Sequence, residues 1–132
     1  MDLQIAGKRA LVTGGSKGIG KAIAEVLAAE GCDLILVARD AQALEDTAQV
    51  IRAKNQVNVE TIAADLSSDA AVKSVVTQVG EIDILVNNAG AIPPGTLAEV
   101  DDATWRKAWD LKVYGFISMC REIYPAMAAR KS

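Results

Sequence analysis

The chain has 132 residues, 51% apolar and 23% charged, the proportions of one globular domain and not of a disordered tail. A net charge of −3 argues against a nucleic-acid surface, because phosphate contacts need clustered Lys and Arg. There is no histidine, and Cys32 and Cys120 have no metal-binding spacing, which rules out a zinc site or a Ser-His-Asp triad in this chain.

At the N-terminus, Met1 to Gly7 carries an acid and no apolar stretch of the kind a signal peptide needs. No apolar run approaches the roughly 20 residues of a membrane span, so a cytoplasmic location is expected. Arg9 to Thr13 is a short apolar run halted by glycine, the pattern of a buried parallel strand. Ile19, Ile23, Val26 and Leu27 then mark a helix face, ended by Gly31. Leu34–Ala38 reads as a second strand, and Leu44, Thr47, Ala48 and Ile51 as the stripe of a second helix. Residues 57–63 alternate as a third strand, and Val72, Val75, Val76 and Val79 recur at helical spacing. Ile82–Val86 is a fourth strand, and a loop with Pro93, Pro94 and Gly95 follows. Asp101 or Asp102 can cap a last helical region that runs to about Arg130 and bends or breaks once near Gly115 or Pro125.

Strands alternating with helices, without repeats or linkers, predict an α/β fold: a doubly wound parallel sheet with helices on both faces. Such sheets bind ligands at the carboxyl ends of their strands, so the residues after each strand should carry function. After strand one, Gly14, Ser16, Lys17, Gly18, Ile19 and Gly20 form a glycine-rich loop that opens a helix. There a pyrophosphate can approach free backbone N–H groups and the positive end of the helix dipole. After strand two stands Arg39, where many NAD-binding sheets carry an acid for the ribose 2′-hydroxyl. A guanidinium grips a 2′-phosphate that a carboxylate would repel, and Lys17 adds a second positive charge. NADP(H) is therefore expected over NAD(H), with Asp40 next door as the competing feature. After strand three, Asp65 can accept from an adenine amino group while Leu66 packs on the ring; the alternative is that Asp65 caps the next helix. After strand four, Asn87-Asn88-Ala89-Gly90 offers amides and a backbone that can pass close to a ribose.

In combination these loops resemble the short-chain dehydrogenase/reductase family. Thr13 to Gly20 is similar to its T-G-x-x-x-G-x-G loop, Asp65-Leu66 to its adenine contact and Asn87 to Gly90 to its N-N-A-G stretch. The resemblance implies that residues 1–132 are a single, partial Rossmann-type domain that ends after about four strands. It implies cofactor contacts from Gly14, Ser16, Lys17, Gly18, Ile19, Gly20, Arg39, Asp65, Leu66, Asn88, Ala89 and Gly90. It also implies an NADP-dependent oxidoreductase for a small alcohol or carbonyl substrate, assembled as a dimer or tetramer.

The family's catalytic Ser and Tyr-x-x-x-Lys do not occur here: four residues after Tyr114 and Tyr124 stand Ser118 and Ala128. Both tyrosines are expected as helix residues, Tyr124 partly packed. Lys112 stands where the family usually has an Asn that holds a water in a proton relay and stabilises a local helix distortion. Lys112 is thus either a solvated residue on a divergent helix or a substitute in the relay. The chain is expected to be a truncated form and inactive alone, with an exposed strand edge and an apolar face among Trp105, Trp109, Phe116, Ile117, Ile123 and Met127. A catalytically silent nucleotide-binding module is the alternative function; an epimerase-like protein fits the glycine spacing less well.

Overall fold

The computed structural model describes residues 2–131. Four parallel strands, β1 (Arg9–Thr13), β2 (Asp33–Ala38), β3 (Val59–Ala63) and β4 (Ile84–Val86), form one sheet in the order β3-β2-β1-β4. Five helices connect and follow them: α1 (Gly18–Ala29), α2 (Ala41–Lys54), α3 (Asp69–Val79), α4 (Asp102–Trp109) and α5 (Gly115–Arg130), with a π-helical turn, Asp110–Tyr114, between the last two. The chain winds outward from β1 to β3 and then returns to place β4 on the other side of β1. The order therefore reverses between β1 and β4, where such sheets open a crevice.

The pleat sorts the core into two layers. Ala10, Val12, Leu34 and Leu36 face α1 and α2, packing on Ala24, Ala28, Leu44, Ala48 and Ile51. Leu11, Ile35 and Val37 face the other way, against Val72, Val75 and Val79 of α3 and Met119 and Ile123 of α5. Both faces of β1 and β2 are covered, which is why these strands read as continuous apolar runs.

Several expectations need correction. The inward face of α1 is Gly20, Ala24 and Ala28, while Ile19 and Val26 are exposed. Small residues let this helix lie close to the sheet, and of the apolar stripe in the sequence Leu27 packs on the core and Ile23 is half-buried, while Ile19 and Val26 point away. The ladders of β3 and β4 begin two residues later than expected. At those starts, side chains take over: Asp33 accepts from the Asn58 amide at 2.8 Å, and Asp83 from the Arg9 amide at 2.9 Å. The last helical region breaks at the π turn directly before Gly115, whereas Pro125 lies inside α5 without ending it. Tyr124 is 68% exposed, not partly packed, and Ile123 belongs to the core. Trp109 and Ile117 are the expected exposed apolar residues that stand half in solvent, at 53% and 51%. Asp101 caps α4, accepting from the Thr104 amide at 2.8 Å.

Candidate functional site

The loops that follow β1, β2, β3 and β4 supply most groups of the candidate site. Lys17 occupies the N-cap position of α1 in an extended conformation and supplies no side-chain acceptor. The first N–H groups of α1 consequently have no side-chain cap and stay open to an incoming anion. The glycine loop in front of them is held from three sides. From β2, the Val37 carbonyl accepts from the Gly14 amide at 2.7 Å. From α2, the buried Thr47 hydroxyl donates to the Ser16 carbonyl at 2.9 Å. From the loop after β4, the Asn88 side-chain amide donates to the carbonyls of Thr13 and Gly14, each at 3.2 Å.

Thr13 connects the two ligand-side loops directly. Its hydroxyl donates to the Val86 carbonyl at 3.3 Å and accepts from the amides of Asn88 and Ala89, both at 3.0 Å. Neither support is read from the sequence: Thr47 sits in a helical stripe that explains it as packing, and Thr13 is read only as the end of a strand and the first residue of the glycine-loop motif. The signal was present: a hydroxyl within a buried run needs a partner, and the nearest free backbone groups are in the loops.

These ties shape a cleft of about 470 Å³ lined by Gly14, Ser16, Lys17, Arg39, Leu66, Ala89 and Gly90, with Asp40 and Leu111 at its walls. Seven of the expected cofactor residues thus meet in one cavity. Arg39 also borders a 300 Å³ cavity with Asp65, Ser67, Lys107 and Leu111. Lys17, Ile19, Asn88, Gly90 and Lys112 line a third, of about 320 Å³. Gly18 and Gly20 border none of these: Gly18 is exposed, and Gly20 is buried beneath the loop. Lys17 and Arg39 are exposed and have no ion pair among the described residues. Asp40 is committed elsewhere, since its carboxylate caps α2 by accepting from the Ala43 amide at 3.0 Å.

Asp65 does not cap α3; Ser68 does, accepting from the Ala71 amide. The Asp65 carboxylate instead accepts from the hydroxyl of Ser67 at 2.7 Å and from its amide at 3.1 Å. The hydroxyl bond and then the amide bond hold its titration below the ordinary carboxylate range, with a smaller pull from the Arg39 and Lys107 charges. Because the folded value is the lower one, this bonding stabilises the fold above the unfolded titration and is lost as pH falls through the folded value. Ser67→Ala is expected to move the Asp65 titration up towards its ordinary value, read by carboxyl NMR. An unmoved titration would assign the shift to the Ser67 amide and the distant charges.

Lys112 lies on the π turn. Its Cδ is 3.0 Å from where a side chain on Gly90 would begin, and its Nζ is 4.9 Å from the centroid of the Phe116 ring. The helix is distorted here with a lysine in place of the asparagine that the family resemblance assigns to that role. A cause is visible at Gly115, where an added Cβ would meet the Leu66 carbonyl oxygen at 2.8 Å. The Gly115 amide reaches back to the Asp110 carbonyl, closing the wide turn that brings the helix onto the loop after β3. Among the described residues no group of acids and cysteines could hold a metal ion, and no helix is long and apolar enough to cross a membrane.

The sequence model of the family described as short chain dehydrogenase matches residues 8–132. A 3-oxoacyl-[acyl-carrier-protein] reductase of rhamnolipid biosynthesis from Pseudomonas aeruginosa is 39% identical over 127 residues, covering 93% of this chain and 49% of the reductase. The crystal structure of L-sorbose reductase from Gluconobacter frateurii, complexed with NADPH and L-sorbose, superposes with a TM-score of 0.91 at 41% identity, over 98% of this chain and 51% of that one. A metagenomic short-chain oxidoreductase in complex with NADP superposes at 0.85 with 35% identity, over 96% and 59%. The chain therefore spans about half the length of the relatives it matches. With that match running from Lys8 onward, and with the glycine loop, Asp65-Leu66 and Asn87–Gly90 in turn at the ends of one parallel sheet, the chain belongs to the short-chain dehydrogenase family.

Proposed function

We propose that this chain is the cofactor-binding half of an NADP(H)-dependent oxidoreductase for a small alcohol or carbonyl compound, the family's Ser and Tyr-x-x-x-Lys being supplied outside these 132 residues. One observation carries the cofactor choice: Lys17 and Arg39, both exposed and without ion-pair partners among the described residues, line one cleft in whose lining the single carboxylate, that of Asp40, is bound to the start of α2, while Asp65 in the adjoining cavity is held by Ser67. A nucleotide with a 2′-phosphate matches that charge, and the uncapped start of α1 suits its pyrophosphate. Bound NADPH would supply the hydride. Asn88 and Thr13 would hold the glycine loop in shape, Leu66 would face the adenine, and the backbone of Ala89 and Gly90 would pass the ribose. Ile117 and Tyr124, seven residues apart on α5 and exposed, support assembly into a dimer or tetramer through that face.

Titration of the purified chain with NADPH and NADH, followed by cofactor fluorescence, tests the reading. NADPH is expected to bind at least tenfold tighter. Arg39→Ala should weaken NADPH by about 10- to 100-fold, the range of one or two charge-assisted hydrogen bonds, while moving NADH little. Tighter binding of NADH in the wild type would overturn the NADP assignment.

A further inference from the structure

The 320 Å³ cleft beside the glycine loop does not end at Lys112. A separate pocket of about 280 Å³ adjoins it there, lined by Ile92, Trp105, Ala108, Trp109 and Val113, with Lys112 and Ile92 common to both. Its lining is almost wholly apolar apart from the lysine. Lys112 is exposed and has no ion pair among the described residues; its ammonium stands near the face of Phe116. One positive charge at the rim of an aromatic pocket, beside a nucleotide cleft, is complementary to a ligand with an apolar group next to an anion.

We propose that Lys112 selects an anionic substrate, pairing with a carboxylate while the adjoining apolar or aromatic group enters the pocket of Trp105, Trp109, Ile92 and Val113. The assignment rests on reading the neighbouring cleft as the nucleotide site, because that reading sets the pocket beside the reacting end. It makes Lys112 a specificity residue and not a proton donor: a protonated lysine carries three donors and no acceptor, so it suits an anion better than it suits a water relay. The carboxylate is favoured over a neutral carbonyl because the lysine otherwise has only a ring face to interact with.

The chain contains two tryptophans, Trp105 and Trp109, and both line the pocket, so intrinsic fluorescence reports on it directly. The probes are phenylacetate, its neutral counterpart phenylacetamide, and acetate, each titrated into the chain with and without NADPH. Phenylacetate should change the tryptophan signal saturably and bind roughly fivefold tighter than phenylacetamide, the upper end for an exposed ion pair. Acetate should give no saturable change below tens of millimolar, and 0.5 M salt should shrink the carboxylate's advantage. Lys112→Gln should remove the discrimination, Lys112→Arg should restore it, and Lys54→Gln, on α2, should leave it as in the wild type.

Equal binding of the acid and the amide, or discrimination that survives Lys112→Gln, would overturn the proposal. Competition between phenylacetate and NADPH would overturn it too, by assigning the anion site to the cofactor's phosphates. A tryptophan signal that follows protein concentration and ignores phenylacetate would make the pocket an interface between copies. Failure of NADPH to bind is a separate result, and it strikes the cofactor reading and not the selectivity of the pocket.

Discussion

Gly20→Ala is expected to destabilise the fold by about 3 kcal/mol or more, while Gly18→Ala, two residues away, costs about 1 to 2 kcal/mol. The two glycines are required for different reasons. Gly18 has a φ of +56°, a region that L side chains adopt only with strain, but a Cβ there would meet nothing within 4 Å. Gly20 lies within α1 in an ordinary helical conformation and has no room. A Cβ on it would run into the Gly14 carbonyl oxygen and would sit 2.5 Å from the Asn88 side-chain amide. The first neighbour is backbone, and the second is itself bonded to Thr13 and Gly14, so neither yields by a rotamer change. For a domain of this size about 3 kcal/mol corresponds to a fall in melting temperature of roughly 10 °C, readable by circular dichroism. A larger loss for Gly18→Ala than for Gly20→Ala would show that backbone strain, not the close approach of α1 to the loop, dominates at this corner.

The same contrast explains how far the sequence carried the reading. The strand β1 was legible to the residue because both its faces are buried, and a run such as Ala10-Leu11-Val12 has no other stable placement. The stripes of α2 and α3 were legible because Leu44 and Ile51, and Val72 and Val79, need burial and recur at helical spacing. The face of α1 was not, since hydrophobicity ranks Ile19 and Val26 above glycine and alanine. Close packing on the sheet selected for small size instead. At the site, the charged and glycine positions announced themselves by residue type, and the structure gathers most of them around adjoining cavities. The supports did not announce themselves. The Asn88 amide reads as a ligand group, yet its N–H groups point to backbone carbonyls; the partners of Thr13 are 73 to 76 residues distant. No local pattern encodes such a pairing, because it exists only once the order of β1 and β4 is known. A break near Gly115 was legible from that glycine and from the place of Lys112, but its cause was not, as the carbonyl that Gly115 approaches belongs to Leu66, in the loop after β3.

Thr13→Val is the second large effect, expected at about 2 to 4 kcal/mol in urea denaturation with an unchanged slope. Valine keeps the shape but leaves three groups without their partner: the amides of Asn88 and Ala89 and the carbonyl of Val86. Thr13 is 1% exposed, so water does not readily replace the hydroxyl there. An unpartnered buried donor costs about 1 to 3 kcal/mol, and two are created together. Thr13→Ser keeps all three bonds and loses one methyl group, which should cost about 1 kcal/mol. Thr47→Val provides the scale for a single strut, because that hydroxyl donates one bond, to Ser16. Its loss should fall near 1 kcal/mol. The valine at position 13 should also weaken NADPH by at least tenfold more than the one at 47, since it frees both the glycine loop and the loop after β4, and 47 anchors only the first. If the two valine variants match in stability and in nucleotide affinity, Thr13 is merely one more buried polar residue, and the two loops are held together by the Asn88 amide alone.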